Sequence, residues 1–496
     1  MAANPIKQLF GQTAVYGMGV VLPRFLNFIV LTPFYTRVLP PEEYGVITEL
    51  YAYVVFLLVV LTYGMETGFF RFASNSKEKE KVYTSVLTSV FTSSLIFAIL
   101  VILFLKPIST GMDYEQYPKY ILWLAMIVAL DAFTAIPFAR IRLYNKPLKY
   151  SLIRIVEVVV NVGLILFFLS YAPKHVEHSP WIAKIYNDQL GVGYVLVANL
   201  VASFVKLLLL SGEIFAVFKG SLDMQLLKKV LKYSYPLLIA GLAGAVNEAL
   251  DRVLLKHLLD PNENPMAQLG IYGANFKIAV LMSLYVQMFR YAAEPFFFAN
   301  SNEKNAKELY ADVMKFFLIA GLLIFLVVTL YIDYFKLFIG PDFREGIGIV
   351  PVILMAVLIM GAFFNLSAWY KLTNKTLIGA RLVIIGALIT IVINVLFVPR
   401  FGYYASAWGH LICYSVMVIL SYLWSRKHYR IPYDFKRILF YFAIIVAFFY
   451  IDHILSVKEL SFVNYVKPIM VIAACFIFYK GEIGTFMKYK PVKANK

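Results

Sequence analysis

Apolar residues run in stretches of about twenty along nearly the whole chain, broken by short polar gaps. A helix of that length spans the ~30 Å hydrocarbon layer of a bilayer. About fourteen such stretches are read, at roughly 12–38, 44–70, 82–105, 117–139, 151–171, 190–217, 233–255, 270–297, 311–338, 346–370, 376–398, 403–424, 438–454 and 462–479. Lipid offers backbone groups no hydrogen-bond partner, so helices that satisfy their own are the spanning elements this pattern predicts. The expected fold class is therefore an all-α integral membrane protein.

The polar gaps test that reading. Lys7 precedes the first run. Alternate loops then carry Arg71, Lys77, Lys79 and Lys81; Arg140, Arg142, Lys146 and Lys149; Lys219, Lys228, Lys229 and Lys232; Lys304 and Lys307; Lys371 and Lys375; and Arg426, Lys427, Arg430, Lys436 and Arg437. A tail with Lys480, Lys488, Lys490, Lys493 and Lys496 closes the series. The intervening loops hold roughly threefold fewer basic residues, and basic loops stay cytoplasmic. Both termini are expected on the cytoplasmic side of a bacterial inner membrane.

The chain also resembles itself. Leu143-Tyr-Asn-Lys-Pro-Leu148 is echoed by Leu372-Thr-Asn-Lys-Thr-Leu377, and Pro41 leading to Gly45-Val46 by Pro261 leading to Gly270-Ile271. The spacings of about 220–230 residues equal six helices, a symmetry common in transporters with sites between related halves. Two pseudo-symmetric six-helix lobes, 1–220 and 221–430, are expected, followed by two C-terminal helices and a basic tail, 431–496.

Composition agrees. Of 496 residues, 61% are hydrophobic and 17% aromatic, with 35 Tyr, and mean hydropathy is +0.74. One or two soluble cores could not bury so much apolar surface. The net charge of +17 lies in loops rather than on a folded patch, so topology accounts for it and nucleic acid is not an expected partner. Cys413 and Cys475 fall in apolar stretches and read as two buried thiols. The first run is long, contains Arg24 and lacks a prompt small-residue cleavage site, unlike a signal peptide.

Charges inside apolar runs cost at least ~2.5–3.5 kcal/mol at the bilayer centre unless they face protein or water. Arg24 follows Pro23 mid-run with no acid within a turn, and either receives a phosphate or another anion or pairs with a neighbouring helix. Arg154 with Glu157, Arg252 with Glu248, and Arg290 with Glu294 have spacings that place each pair on one helix face. Together with Asp251, Lys206, Lys277 and Arg381, these residues are the candidates to line a hydrated cavity, although Lys277 and Arg381 can also snorkel. Glu66 and Asp131 lack a local partner on the same face. They either couple transport to a proton or cation, or pair structurally, Glu66 near Arg71 and Asp131 with a base across the lobe. His410 reads as a packing residue.

Other signals carry less. Asn365-Leu-Ser367 and Asn374-Lys-Thr376 match a glycosylation pattern but sit at cytoplasmic membrane ends. His175 and His178 are two ligands without a third, so no metal is expected. No P-loop sequence occurs, and no cofactor is expected.

The segment from Arg24 through Thr36-Arg37-Val-Leu-Pro-Pro41-Glu-Glu-Tyr-Gly45 resembles the opening of Wzx-type polysaccharide flippases, members of the multidrug/oligosaccharidyl-lipid/polysaccharide (MOP) exporter superfamily. So does Glu294-Pro-Phe-Phe-Phe298, followed by Tyr310-Ala-Asp312. The resemblance covers most of the chain through helix number, duplication and the terminal pair. It implies a flippase carrying an undecaprenyl-pyrophosphate-linked oligosaccharide to the outer leaflet by alternating access. It also implies coupling to a proton or sodium ion, and association with polysaccharide assembly proteins. On that analogy Arg24, Arg290 and Arg71 are the expected pyrophosphate-binding positions. The rival readings are a multidrug or metabolite exporter of the same architecture, and a membrane polysaccharide polymerase or glycosyltransferase. The latter typically has a larger outer loop than 172–189.

Overall fold

The fold is taken from a computed structural model, which describes residues 25–74, 76–301, 303–457 and 463–488. Among them all regular structure is helical. The main helices begin with α1 (Thr32–Val38), α2 (Pro41–Ala73), α3 (Lys79–Leu103), α4 (Pro118–Leu143) and α5 (Pro147–His175). Then come α6 (Gly193–Leu209, continuing as Ser211–Lys219), α7 (Met224–Leu258) and α8 (Pro265–Ile278, continuing as Val280–Ala299). The remainder are α9 (Ala306–Leu330), α10 (Pro341–Leu372), α11 (Thr376–Phe401), α12 (Tyr403–His428), α13 (Phe435–Val457) and α14 (Val463–Lys488).

Among the described residues, nine of these helices are long and apolar enough to cross a membrane, or eleven if α6 and α8, bent by 56° and 50°, each count as one span. The chain is a helical membrane protein, but the described residues show fewer than the expected fourteen spans. The first half of the first apolar run, including Arg24, lies outside the described residues. Helices α7 and α14 reach spanning length, yet buried polar residues interrupt their apolar character: Asn247 and Asp251 in α7, Lys467 and Glu482 in α14.

The chain packs as two units, one of Met1–Ala274 with Thr390–Ser406, the other of Asn275–Ile389 with Ala407–Lys496. In the first, α2 packs on α7 and α4, α3 on α4, and α6 on α5 and α4. Its core joins Met65, Phe69, Tyr83, Val86, Ile136 and Val230. Beside that core Arg140, 8% exposed, donates to Glu80 at 2.8 Å and to Glu213. Lys149 reaches the same Glu213 at 2.8 Å, so α3, α4, α5 and the second part of α6 share one ion network.

In the second unit α9 packs against α10, α13 and α14. Lys315 of α9 meets Glu482 of α14 at 2.6 Å, and Tyr441 of α13 donates to the same carboxylate at 2.9 Å. Farther along, Lys467 of α14 lies 3.7 Å from Asp452 of α13. Leu439, Phe440, Ile469, Ile472 and Phe476 remain exposed on the same two helices, as lipid-facing side chains do. Cys475 is exposed there too, whereas Cys413 is buried. The expectation of two buried thiols therefore holds for one, because an apolar run says nothing about whether a position faces protein or lipid.

Candidate functional site

A cavity of about 310 Å³ opens within the first unit. Each bounding helix contributes side chains at helical spacing. Helix α2 supplies Leu58, Thr62 and Glu66; α4 supplies Asp131, Thr134, Phe138 and Arg142; α5 supplies Tyr150 and Arg154; α6 supplies Lys206.

Local backbone geometry aims these residues. Helix α2 is interrupted at Tyr63 and Gly64, both left-handed with φ of 31° and 73°. The break starts a new helical segment whose first turn carries Glu66. A Cβ at Gly64 would lie 2.9 Å from Leu237 Cβ and 3.0 Å from Ser234 O, so glycine serves both the φ and the close approach of α7. Helix α4 contains Pro137, which removes a backbone donor beside Phe138.

The charges form two groups. Lys206 is 1% exposed and donates to Asp131 Oδ1 at 2.6 Å and to Glu157 Oε1 at 2.7 Å. Ser203 donates to the same Asp131 oxygen at 2.8 Å. Glu157 also accepts from Arg154 at 3.0 Å, the pairing its spacing predicts. An ammonium so enclosed is held by two carboxylates on two other helices, and it is structural before it is anything else.

The second group faces the opening. Arg142 donates to Glu66 and lies 5.0 Å from the Phe70 ring centroid. The guanidinium of Arg154 lies 4.2 Å from that of Phe138. Both arginine side chains are 35% exposed, and Glu66 is 41% exposed. A guanidinium has five N–H donors in a planar fork, and Arg142 uses one of them on Glu66 among the described residues, its Nε standing unpaired. This arrangement suits a phosphate better than a cation, because two guanidiniums line one cavity while its carboxylates are already engaged.

The other expected site residues fall elsewhere. Arg24 is outside the described residues. Arg71 is exposed on α2, and Glu66 pairs with Arg142 rather than with it. In the second unit Arg290 lies 4.6 Å from the Phe364 ring centroid, while Glu294 pairs with Lys371 at 2.7 Å. The Arg290–Glu294 pairing predicted from spacing is thus replaced by a contact between α8 and α10. These residues surround a narrow cleft of about 20 Å³ with Asn365 and Ser367. Lys277, Arg381 and Glu248 are exposed, and Arg252 is half-buried.

Asp251 is fully buried and accepts from Tyr272 at 2.5 Å. On the same helix Asn247 accepts from Thr390 of α11 at 3.4 Å. Asn394 of α11 accepts from Ser406 of α12 at 2.7 Å. Asp251 is one of the charges the sequence marks as a cavity candidate, whereas its neutral neighbours Tyr272, Asn247, Thr390, Asn394 and Ser406 are not marked, since neutral side chains inside apolar runs carry little signal. Arg142 was read only as a topological charge; its helical register with Asp131, Thr134 and Phe138 was the available signal. His410 packs as expected, 5.9 Å from Phe276 and 6.0 Å from Tyr414 between ring centroids.

Residues 10–301 match the polysaccharide biosynthesis protein family. This chain belongs to that family. Its fold is that of MOP-superfamily transporters. It is similar to a lipid II flippase, MurJ, in an inward closed conformation, with a TM-score of 0.70 at 14% identity over 95% of this chain and 100% of that one. A MATE multidrug transporter of the MOP superfamily, inward-facing, gives 0.63 at 15% identity over 84% and 94%. The MATE multidrug transporter DinF-BH gives 0.60 at 16% identity over 85% and 95%. At these identities the likeness is one of fold. No curated protein sequence matches the chain.

Proposed function

We propose that this polysaccharide biosynthesis protein is a flippase. It carries a polyprenyl-pyrophosphate-linked oligosaccharide from the cytoplasmic to the outer leaflet of the inner membrane. The observation that carries the reading is the cavity among α2, α4, α5 and α6, which Arg142 and Arg154 line inside a membrane protein. A diphosphate and its glycan cannot cross hydrocarbon unaided, whereas the polyprenyl tail can remain in lipid. Arginine forks in a hydrated cavity supply the missing solvation for the headgroup. Alternating access of the lobes 1–220 and 221–430 then exposes the cavity to either side, driven by an ion gradient. Both termini stay cytoplasmic, as the basic loops require. Arg24, Arg290 and Arg71 remain candidate contacts on the cargo's route.

Deleting the gene and measuring lipid-linked glycan in each leaflet tests this. Wild type should restore outer-leaflet glycan, and Arg142→Ala and Arg24→Ala should not, at equal expression. An unchanged leaflet distribution in a deletion host without a second flippase would overturn the reading.

A further inference from the structure

A diphosphate entering this cavity meets arginines that already hold carboxylates. Resting on the flippase reading, we propose that Glu66 is a resident counter-ion of the cargo site, displaced from Arg142 by the diphosphate and returning when the cargo leaves.

The bases Arg142, Arg154 and Lys206 are matched by the acids Glu66, Glu157 and Asp131, each held in an ion pair. An empty cavity therefore carries no uncompensated charge, which a membrane interior would penalise. Any anion that enters must either overload the site or take the place of a carboxylate.

Exposure decides which carboxylate yields. Asp131 is fixed, because one oxygen accepts from both Lys206 and Ser203. Glu157, with its side chain 16% exposed, bridges Lys206 and Arg154, so moving it would strip the buried ammonium of a partner. Glu66 has one ionic partner among the described residues and its side chain is 41% exposed. It can swing toward water without leaving a buried base unpaired. It lies in the first turn of the short helical segment after the Tyr63–Gly64 break, while Met65 and Phe69 of the same segment anchor it in the core.

The exchange favours the cargo on entry and its loss on exit. A phosphate group offers several oxygens to the two arginine forks, against one contact from Glu66 to Arg142. The tethered carboxylate, however, stays at high local concentration and competes continuously. Glu66 thereby lowers affinity enough for release, and it restores neutrality before the empty protein reorients.

The test uses the full chain in lipid discs, with inorganic pyrophosphate as the probe and calorimetric titration as the readout. Glu66→Gln should tighten binding about two- to fivefold, the size expected for a half-exposed ion pair. Arg142→Gln should abolish binding, and the double variant should resemble Arg142→Gln. Glu66→Asp, which draws the carboxylate back by one methylene, should tighten binding to a smaller degree and serves if Glu66→Gln does not fold. Unchanged or weaker binding in the Glu66 variants, with Arg142→Gln still inactive, overturns the exchange and leaves the cavity reading standing. Equal binding by wild type and Arg142→Gln, or no binding by any variant, overturns both.

Discussion

Gly45 and Gly270 stand at matching places in the two similar segments of the chain, and each packs onto the main chain of the other's helix. A Cβ added to Gly45 would lie 2.1 Å from Met266 O, and one added to Gly270 would lie 2.0 Å from Pro41 O. Gly273 extends the contact, its Cβ position falling 2.5 Å from Thr48 Oγ1. Small residues allow membrane helices to meet this closely.

Gly45→Ala and Gly270→Ala are therefore expected to force α2 and α8 apart at that point, each lowering stability by about 1–3 kcal/mol, as overpacked sites do. Unfolding of the purified variants in denaturant measures this. A substitution without effect at either position would show that the helices separate freely.

Lys206 is the charge whose loss should cost most. Lys206→Met leaves Asp131 and Glu157 without their shared partner and should destabilise by about 3–5 kcal/mol, the cost of breaking a buried pair. Adding Asp131→Asn to Lys206→Met should recover part of that loss. Thermal unfolding of the single and double variants provides the comparison.

Arg142 and Arg154 should behave differently. Both side chains are 35% exposed, so Arg142→Ala should change stability by no more than about 1 kcal/mol while blocking outer-leaflet delivery of glycan. Arg154→Lys keeps the charge but loses the planar fork. It should also deliver less glycan than wild type at equal expression in the leaflet assay.

A pH effect is expected at the start of α7. Asp223 caps that helix, accepting from Leu226 and Gln225 at 2.9 Å, and lies 3.2 Å from Lys81. The Leu226 amide, followed by Lys81, lowers its pKa from the ordinary carboxylate value. A lowered folded-state value adds stability above the unfolded pKa of ~3.9, which is lost as pH falls through the folded value. Hydrogen exchange of the Gln225 and Leu226 amides, corrected for intrinsic rates, should show less protection at the acid end. Asp223→Asn should remove most of that dependence.

Much of the fold was legible because its signals are local. Apolar length marks α2 to α5 and α9 to α13, and the Arg154–Glu157 pair follows from spacing along one helix. Glu66, Arg290 and Glu294 were less legible. Their partners by spacing were Arg71 for Glu66 and each other for the last two, yet Arg142, Phe364 and Lys371 hold the nearer places. A side chain on a bundle helix chooses between neighbours on its own helix and neighbours across the interface, and only packing ranks them.

That the protein is helical and membrane-embedded follows from its amino-acid order alone, because a run of about twenty apolar residues has few other stable environments. The opening and mid-chain motifs also pointed to the polysaccharide family the chain belongs to and to the fold it shares with MOP-superfamily transporters. Which charges share a cavity, by contrast, emerges only on packing. Asp131, Arg154 and Lys206 come from three different helices, and their meeting depends on how those helices are rotated and neighboured. That rotation is fixed by side-chain packing along the whole length of each helix, which no local spacing encodes.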